Sequence, residues 1–89
     1  MQASDARQAI VEALDKVSGA LNIAEFAPAL NDPQRDITFE AVGLDSMTGL
    51  EFCLEVEDRT GVELDLGHLL THDSVNRLAA YVAAAAAGG

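Results

Sequence analysis

Apolar side chains recur at helical spacing in three stretches of this chain and lose that spacing between them. In residues 4–17, Ile10, Val11, Leu14 and Val17 share one face, with Arg7, Glu12, Asp15 and Lys16 elsewhere. That period predicts an amphipathic helix. Ser4 or Asp5 is placed to cap its start, and Ser18 followed by Gly19 to stop it. Residues 45–59 hold Met47, Leu50, Phe52, Cys53, Leu54 and Val56, an apolar face broader than one stripe. Asp45 is a good cap for this second helix and Gly61 a natural stop. Gly49 costs it about 1 kcal/mol relative to alanine, so a neighbour that needs a small residue is expected there. The last helix starts near Thr71 or Asp73, buries Val75, Leu78, Ala79 and Val82, and runs out through the alanines at 83–87.

Between these helices the pattern breaks twice. Residues 19–44 contain Pro28, Asn31-Asp32-Pro33 and Gly43, which exclude a continuous helix. Yet Leu21, Ile23, Phe26, Leu30, Ile37, Phe39, Val42 and Leu44 are apolar. The segment reads as a long, well-anchored connection with a short helix at about residues 23–27. Further on, Val62, Leu64 and Leu66 alternate with Glu63 and Asp65, a strand period. Residues 37–39 are the one candidate partner, and a two-stranded ribbon is marginal. An extended segment leading into a turn of helix at 66–70 is expected instead. The fold class is therefore all-α, a small bundle of three to four helices with a long first loop. Residues 1–89 form a single domain in this reading, with an ordered core at about 4–83 and an Ala/Gly tail at 84–89.

Composition narrows the function classes. The 89 residues and 9.3 kDa suffice for one modest core, with little depth for an enclosed active site. Fifteen acidic against five basic residues give a net charge of −10, which repels phosphate backbones and anionic membranes. Nucleic acid is excluded as a partner and basic proteins are favoured. A hydrophobic content of 49% is too high for disorder. The single cysteine, Cys53, makes no internal disulfide and reads as a small core residue. No signal peptide is legible at the N-terminus. Residues 79–87, the most apolar run, fall well short of the ~20 needed to span a bilayer. No membrane insertion and a cytoplasmic location are expected. His68 and His72 stand four apart, but a helix starting at Thr71 would separate them and no third ligand is evident, so no metal site is expected. Nor do residues 43–49 make a hydrolase elbow, and no catalytic residue is assigned.

Charge and one serine then point to a specific chemistry. Eight of the fifteen acids lie between Glu40 and Asp65, with Arg59 the only base. Glu51, Glu55 and Asp58 align along the second helix, an arrangement that like-charge repulsion disfavours locally. Ser46 stands at the first turn of that helix, just after Gly43-Leu44-Asp45. A helix start offers unpaired amides and a positive dipole end, which suits a phosphate attached there.

Gly43-Leu44-Asp45-Ser46-Met47 resembles the attachment signature of the acyl carrier protein family, the phosphopantetheine-binding or thiolation domains. The resemblance extends upstream through residues 36–42 and downstream through the acid-rich helix and Thr60-Gly61-Val62. It implies a protein that is not an enzyme but a carrier. A phosphopantetheinyl transferase would move 4′-phosphopantetheine from coenzyme A onto the Ser46 hydroxyl, and the arm's thiol would hold acyl or polyketide groups as thioesters. Asp45 would cap the helix near the transferase's metal–phosphate site, while Gly43 and Leu44 complete the signature. Met47 and Leu50 would form the apolar part of a docking face, with Glu51, Glu55 and Asp58 meeting basic patches on acyl-loading enzymes, ketosynthases and other acyl-transferring partners. The first loop is longer than in many fatty-acid carriers. The Gly-Gly pair common in peptidyl carriers is absent. Natural-product biosynthesis of the polyketide type is the expected pathway, with fatty-acid and peptidyl or aryl carriers as the alternatives. A free-standing monomer is expected. An unmodified acidic adaptor binding a basic protein is the reading from a different class, and the two part at Ser46→Ala.

Overall fold

A computed structural model describes residues 1–88. Six α-helices follow one another: α1 (Ala3–Ser18), α2 (Ala27–Leu30), α3 (Phe39–Val42), α4 (Ser46–Thr60), α5 (Leu66–Thr71) and α6 (Val75–Gly88), with a 3-10 turn at Ala20–Asn22 after α1. No strand is present among the described residues, and the all-α expectation holds. The long helices α1, α4 and α6 form the body, α1 lying against both of the others. Their inward positions meet in one core, where Ile10 and Leu14 of α1, Phe52 and Val56 of α4, and Leu78 and Val82 of α6 are each 0% exposed. Each such side chain contributes about 1.5–3 kcal/mol of hydrophobic stabilisation. Cys53 belongs to the same core, and burial pushes its thiol up to about 11.

Several boundaries differ from the sequence reading, each for a physical reason. The chain enters α1 from extended backbone at Gln2, so Ser4 and Asp5 lie in the first turn instead of capping it. The short helix of the first loop occupies 27–30, not 23–27, because Pro28 opens it instead of breaking it; proline is tolerated in a helix's first turn. Thr71 is the last residue of α5, and neither it nor Asp73 caps α6. Ser74 does so, its hydroxyl accepting from the Arg77 amide at 3.2 Å, while Asp36 of the distant first loop accepts from the Asn76 amide at 2.9 Å. Residues 37–39 do pair, but with the start of α6. Phe39 donates its amide to the Asp73 carbonyl and Val75 donates to that of Ile37, both at 3.0 Å, around an isolated Thr38–Ser74 bridge. Val62 and Leu64 are buried without a strand partner. α6 continues through the alanine run to Gly88, with Ala85 and Ala86 packed against the core. Gly89 lies outside the described residues.

The first loop is pinned by Arg7, a residue the apolar pattern leaves on the polar face. It is buried, and its guanidinium donates to the carbonyls of Leu30 and Ala29 at 2.9 Å, Arg35 at 3.0 Å and Asp32 at 3.1 Å, and to Asn76 Oδ1 at 2.7 Å. One side chain thereby joins α1, the loop and α6. Asp36 adds a second anchor through the Ser74 hydroxyl at 2.6 Å. This double fixing sets where α3, and hence the start of α4, must lie.

Candidate functional site at the start of α4

Thr38 caps α3, accepting from the Ala41 amide at 3.1 Å. Gly43 then ends that helix at φ 87°, a left-handed conformation that side-chain-bearing residues rarely adopt, and the chain reverses into α4. Asp45 caps α4 through a reciprocal box: its Oδ1 accepts from the Thr48 amide at 2.8 Å, and Thr48 Oγ1 accepts from the Asp45 amide at 3.0 Å. The Thr48 amide and hydroxyl together hold the Asp45 carboxyl below its ordinary value. Ser46 is the first residue of the helix that follows. It is exposed, and its hydroxyl has no hydrogen-bond partner among the described residues.

Ser46 also lines a cleft of about 500 Å³, walled by Phe39, Leu44, Leu66, Leu69 and Leu70. Gly49 explains how α5 comes close enough to form that wall. A Cβ there would stand 3.1 Å from Leu66 Cδ2 and 3.5 Å from Leu69 Cδ1, so the small residue that the sequence leads one to question is the seat of α5. α5 is itself capped by Asp65, whose Oδ1 accepts from the His68 amide at 3.1 Å. His68 and His72 both lie on the Tyr81 ring, at centroid distances of 5.1 and 4.6 Å. No group of three or more metal-binding side chains occurs among the described residues.

Along α4, Met47 is 72%, Leu50 50% and Leu54 63% exposed. Glu51 and Asp58 are exposed with them. Leu54 was not among the expected docking residues, although its spacing of seven from Met47 places it on their stripe. Glu55 is placed differently. Its side chain is only 11% exposed and turns to α1, where Lys16 Nζ donates to it at 2.8 Å, while Arg59 Nε, one turn further along α4, stands at 3.7 Å. The Lys16 hydrogen bond holds its carboxyl below the ordinary value, against the opposing effect of burial.

The start of α4 thus presents the exposed Ser46 beside an apolar cleft in a small all-helical domain. The family model for the phosphopantetheine attachment site matches residues 11–82, and the chain belongs to that family. It is a phosphopantetheine-carrying carrier protein, and its prosthetic group is 4′-phosphopantetheine. No solved structure matches the chain. No helix among the described residues is long and apolar enough to cross a membrane.

Proposed function

We propose that Ser46 is the attachment residue and that the chain carries acyl or polyketide intermediates between enzymes of natural-product biosynthesis. The observation that carries the assignment is the exposed Ser46 hydroxyl, without a hydrogen-bond partner among the described residues, on the first residue of a 15-residue capped helix. The residues present suit the group. The α4 dipole favours a phosphodiester at Ser46. Asp45 orders the first turn by its cap, Gly43 supplies the reversal before it, and Leu44 lines the adjoining cleft. Met47 gives the first apolar surface that an incoming enzyme meets. When attached, the arm supplies a terminal thiol on which an acyl group is held as a thioester.

The chain acts in this reading as one carrier domain and as a substrate of other enzymes, with no catalytic residue of its own. Its partners are a phosphopantetheinyl transferase and acyl-loading or condensing enzymes bearing basic patches, visited as a monomer in the cytoplasm. The docking face comprises Met47, Leu50, Glu51, Leu54 and Asp58, with Glu55 engaged on α1. Charge complementarity of this kind mainly raises on-rates and selects partners, which suits short visits. Support for the polyketide pathway comes from the long first loop and the alanine-rich, lysine-poor composition.

Intact-protein mass tests the assignment. Incubation with coenzyme A, magnesium and a broad-specificity transferase is expected to add one phosphopantetheine to the wild type and none to Ser46→Ala. Addition to Ser46→Ala would place the arm elsewhere. Loading of the modified chain by polyketide-type enzymes in preference to fatty-acid-type enzymes checks the pathway.

A further inference from the structure

Two histidines that the sequence pattern sets apart come together in the fold. A helix starting at Thr71 would part His68 from His72, but α5 runs to Thr71, and the His72 amide donates to the His68 carbonyl at 2.8 Å. The two side chains therefore stand one helical turn apart. Both lie on the ring of Tyr81 from α6, and the His72 and Tyr81 rings are inclined by only 26°. His68 does more. Its Nδ1 accepts from the Asp65 amide at 3.0 Å, so the neutral ring carries its proton on Nε2, which faces the Tyr81 hydroxyl at 3.2 Å and donates to it. One imidazole closes the first turn of α5 and ties that turn to α6.

Little else holds α5. A helix of six residues is too short to persist unsupported. Only Leu69 of the six is buried, and Leu70 is 83% exposed. The seat of α5 on α4 is Gly49, where a side chain would meet Leu66 and Leu69. Cys53 follows Gly49 by one turn on the same face of α4 and is 1% exposed. Asp65, at the start of α5, adds to burial in pushing its thiol up. α5 thus covers Cys53. Lifting α5 uncovers one buried leucine of its own, whereas unfolding the body uncovers the whole core, and the smaller exposure opens first.

We propose that His68, His72 and Tyr81 form an aromatic clasp that holds α5 as a lid over Cys53, and that the lid opens while α1, α4 and α6 stay folded. Leu66, Leu69 and Leu70 are the α5 side of the cleft beside Ser46, so a residue of α6 sets the width of that cleft. The device does not depend on which residue bears the arm.

Cys53 is the single cysteine and Tyr81 the single tyrosine, with no tryptophan, so both parts of the device report on themselves. In the full chain before modification, labelling of Cys53 by N-ethylmaleimide, followed by mass, measures opening. The wild-type rate should stay flat through low urea, as expected of a small opening. Tyr81→Leu, which loses both stacks and the hydroxyl, should label about tenfold faster, and Tyr81→Phe, which keeps the stacks, about threefold. His72→Ala should label faster and weaken the near-ultraviolet circular dichroism of Tyr81. Ile10→Val trims the core on α1, which packs against α4 and α6. It should lower the urea midpoint yet label like the wild type, because the open state keeps that part of the core. Labelling that climbs with urea as steeply as global unfolding does, and that quickens in Ile10→Val, would overturn the separate lid. Clasp variants that label no faster than the wild type would overturn the clasp itself.

Discussion

Arg7 buries a full positive charge with no carboxylate bonded to it among the described residues; its five hydrogen bonds go to four carbonyls and an amide oxygen. Removing it strands those acceptors in the interior. Arg7→Met is therefore expected to destabilise the domain by about 3 kcal/mol, a large part of the 5–15 kcal/mol usual for a domain. A lower urea midpoint at unchanged slope would check this, and Arg7→Lys should restore little, because an ammonium cannot span so many acceptors. Asp45 makes a prediction of the opposite kind, visible in pH. Its carboxyl is held below the ordinary value in the folded state. The stability it adds is then complete above the ordinary carboxylate range and vanishes as pH falls through its lowered value. Asp45→Ala should melt below the wild type at neutral pH, and the two melting curves should converge in acid. A gap that persists in strong acid would mean that the cap works by something other than charge.

The helices that the sequence announces are those whose signals are local. Asp45 and Gly61 bound α4 as their types suggest, and Gly19 ends α1 in the left-handed conformation. What escapes the sequence is supplied from afar. The cap of α6 depends on Asp36, forty residues away, and the first loop on Arg7, whose burial no periodicity announces. The site divides in the same way. Ser46 and Asp45 are legible as a motif, whereas the inward turn of Glu55 depends on Lys16 of another helix. Gly49 is legible as a cost, and only the packing of α5 gives its reason. Here two magnitudes compete. Gly49→Ala gains about 1 kcal/mol of helix propensity and asks the end of Leu66 to move a few tenths of an ångström. The net change should stay within about 0.5 kcal/mol of zero, because Leu66 is only half-buried and can move. Gly49→Val drives two further methyl groups at Leu66 and Leu69, and is expected to cost more than about 1 kcal/mol. Urea titration of both variants separates the terms.

Across the whole molecule, the few bases are spent internally. Arg7 is buried, Lys16 and Arg59 bind Glu55 and Glu12, and Arg77 binds Asp73. Of the four exposed bases only Arg35 has no acidic partner among the described residues, so the unpaired charge of the outer surface is almost entirely acidic. Yet these acids do different work, and their positions predict which ones a partner reads. Glu55 joins α1 to α4, so Glu55→Gln should lower the melting temperature and leave association with a basic partner nearly unchanged. Glu51 and Asp58 are exposed and form no ion pair among the described residues. The pair Glu51→Gln with Asp58→Asn should keep or raise stability, since it relieves like-charge repulsion on one helix face. Its association rate should fall, together with much of the salt dependence of that rate. Stopped-flow association at low and high ionic strength, beside thermal melts, resolves the two roles. If Glu55→Gln slowed association as much as the double variant did, α4 would release that carboxylate on docking, and the Lys16 contact would be part of the recognition event.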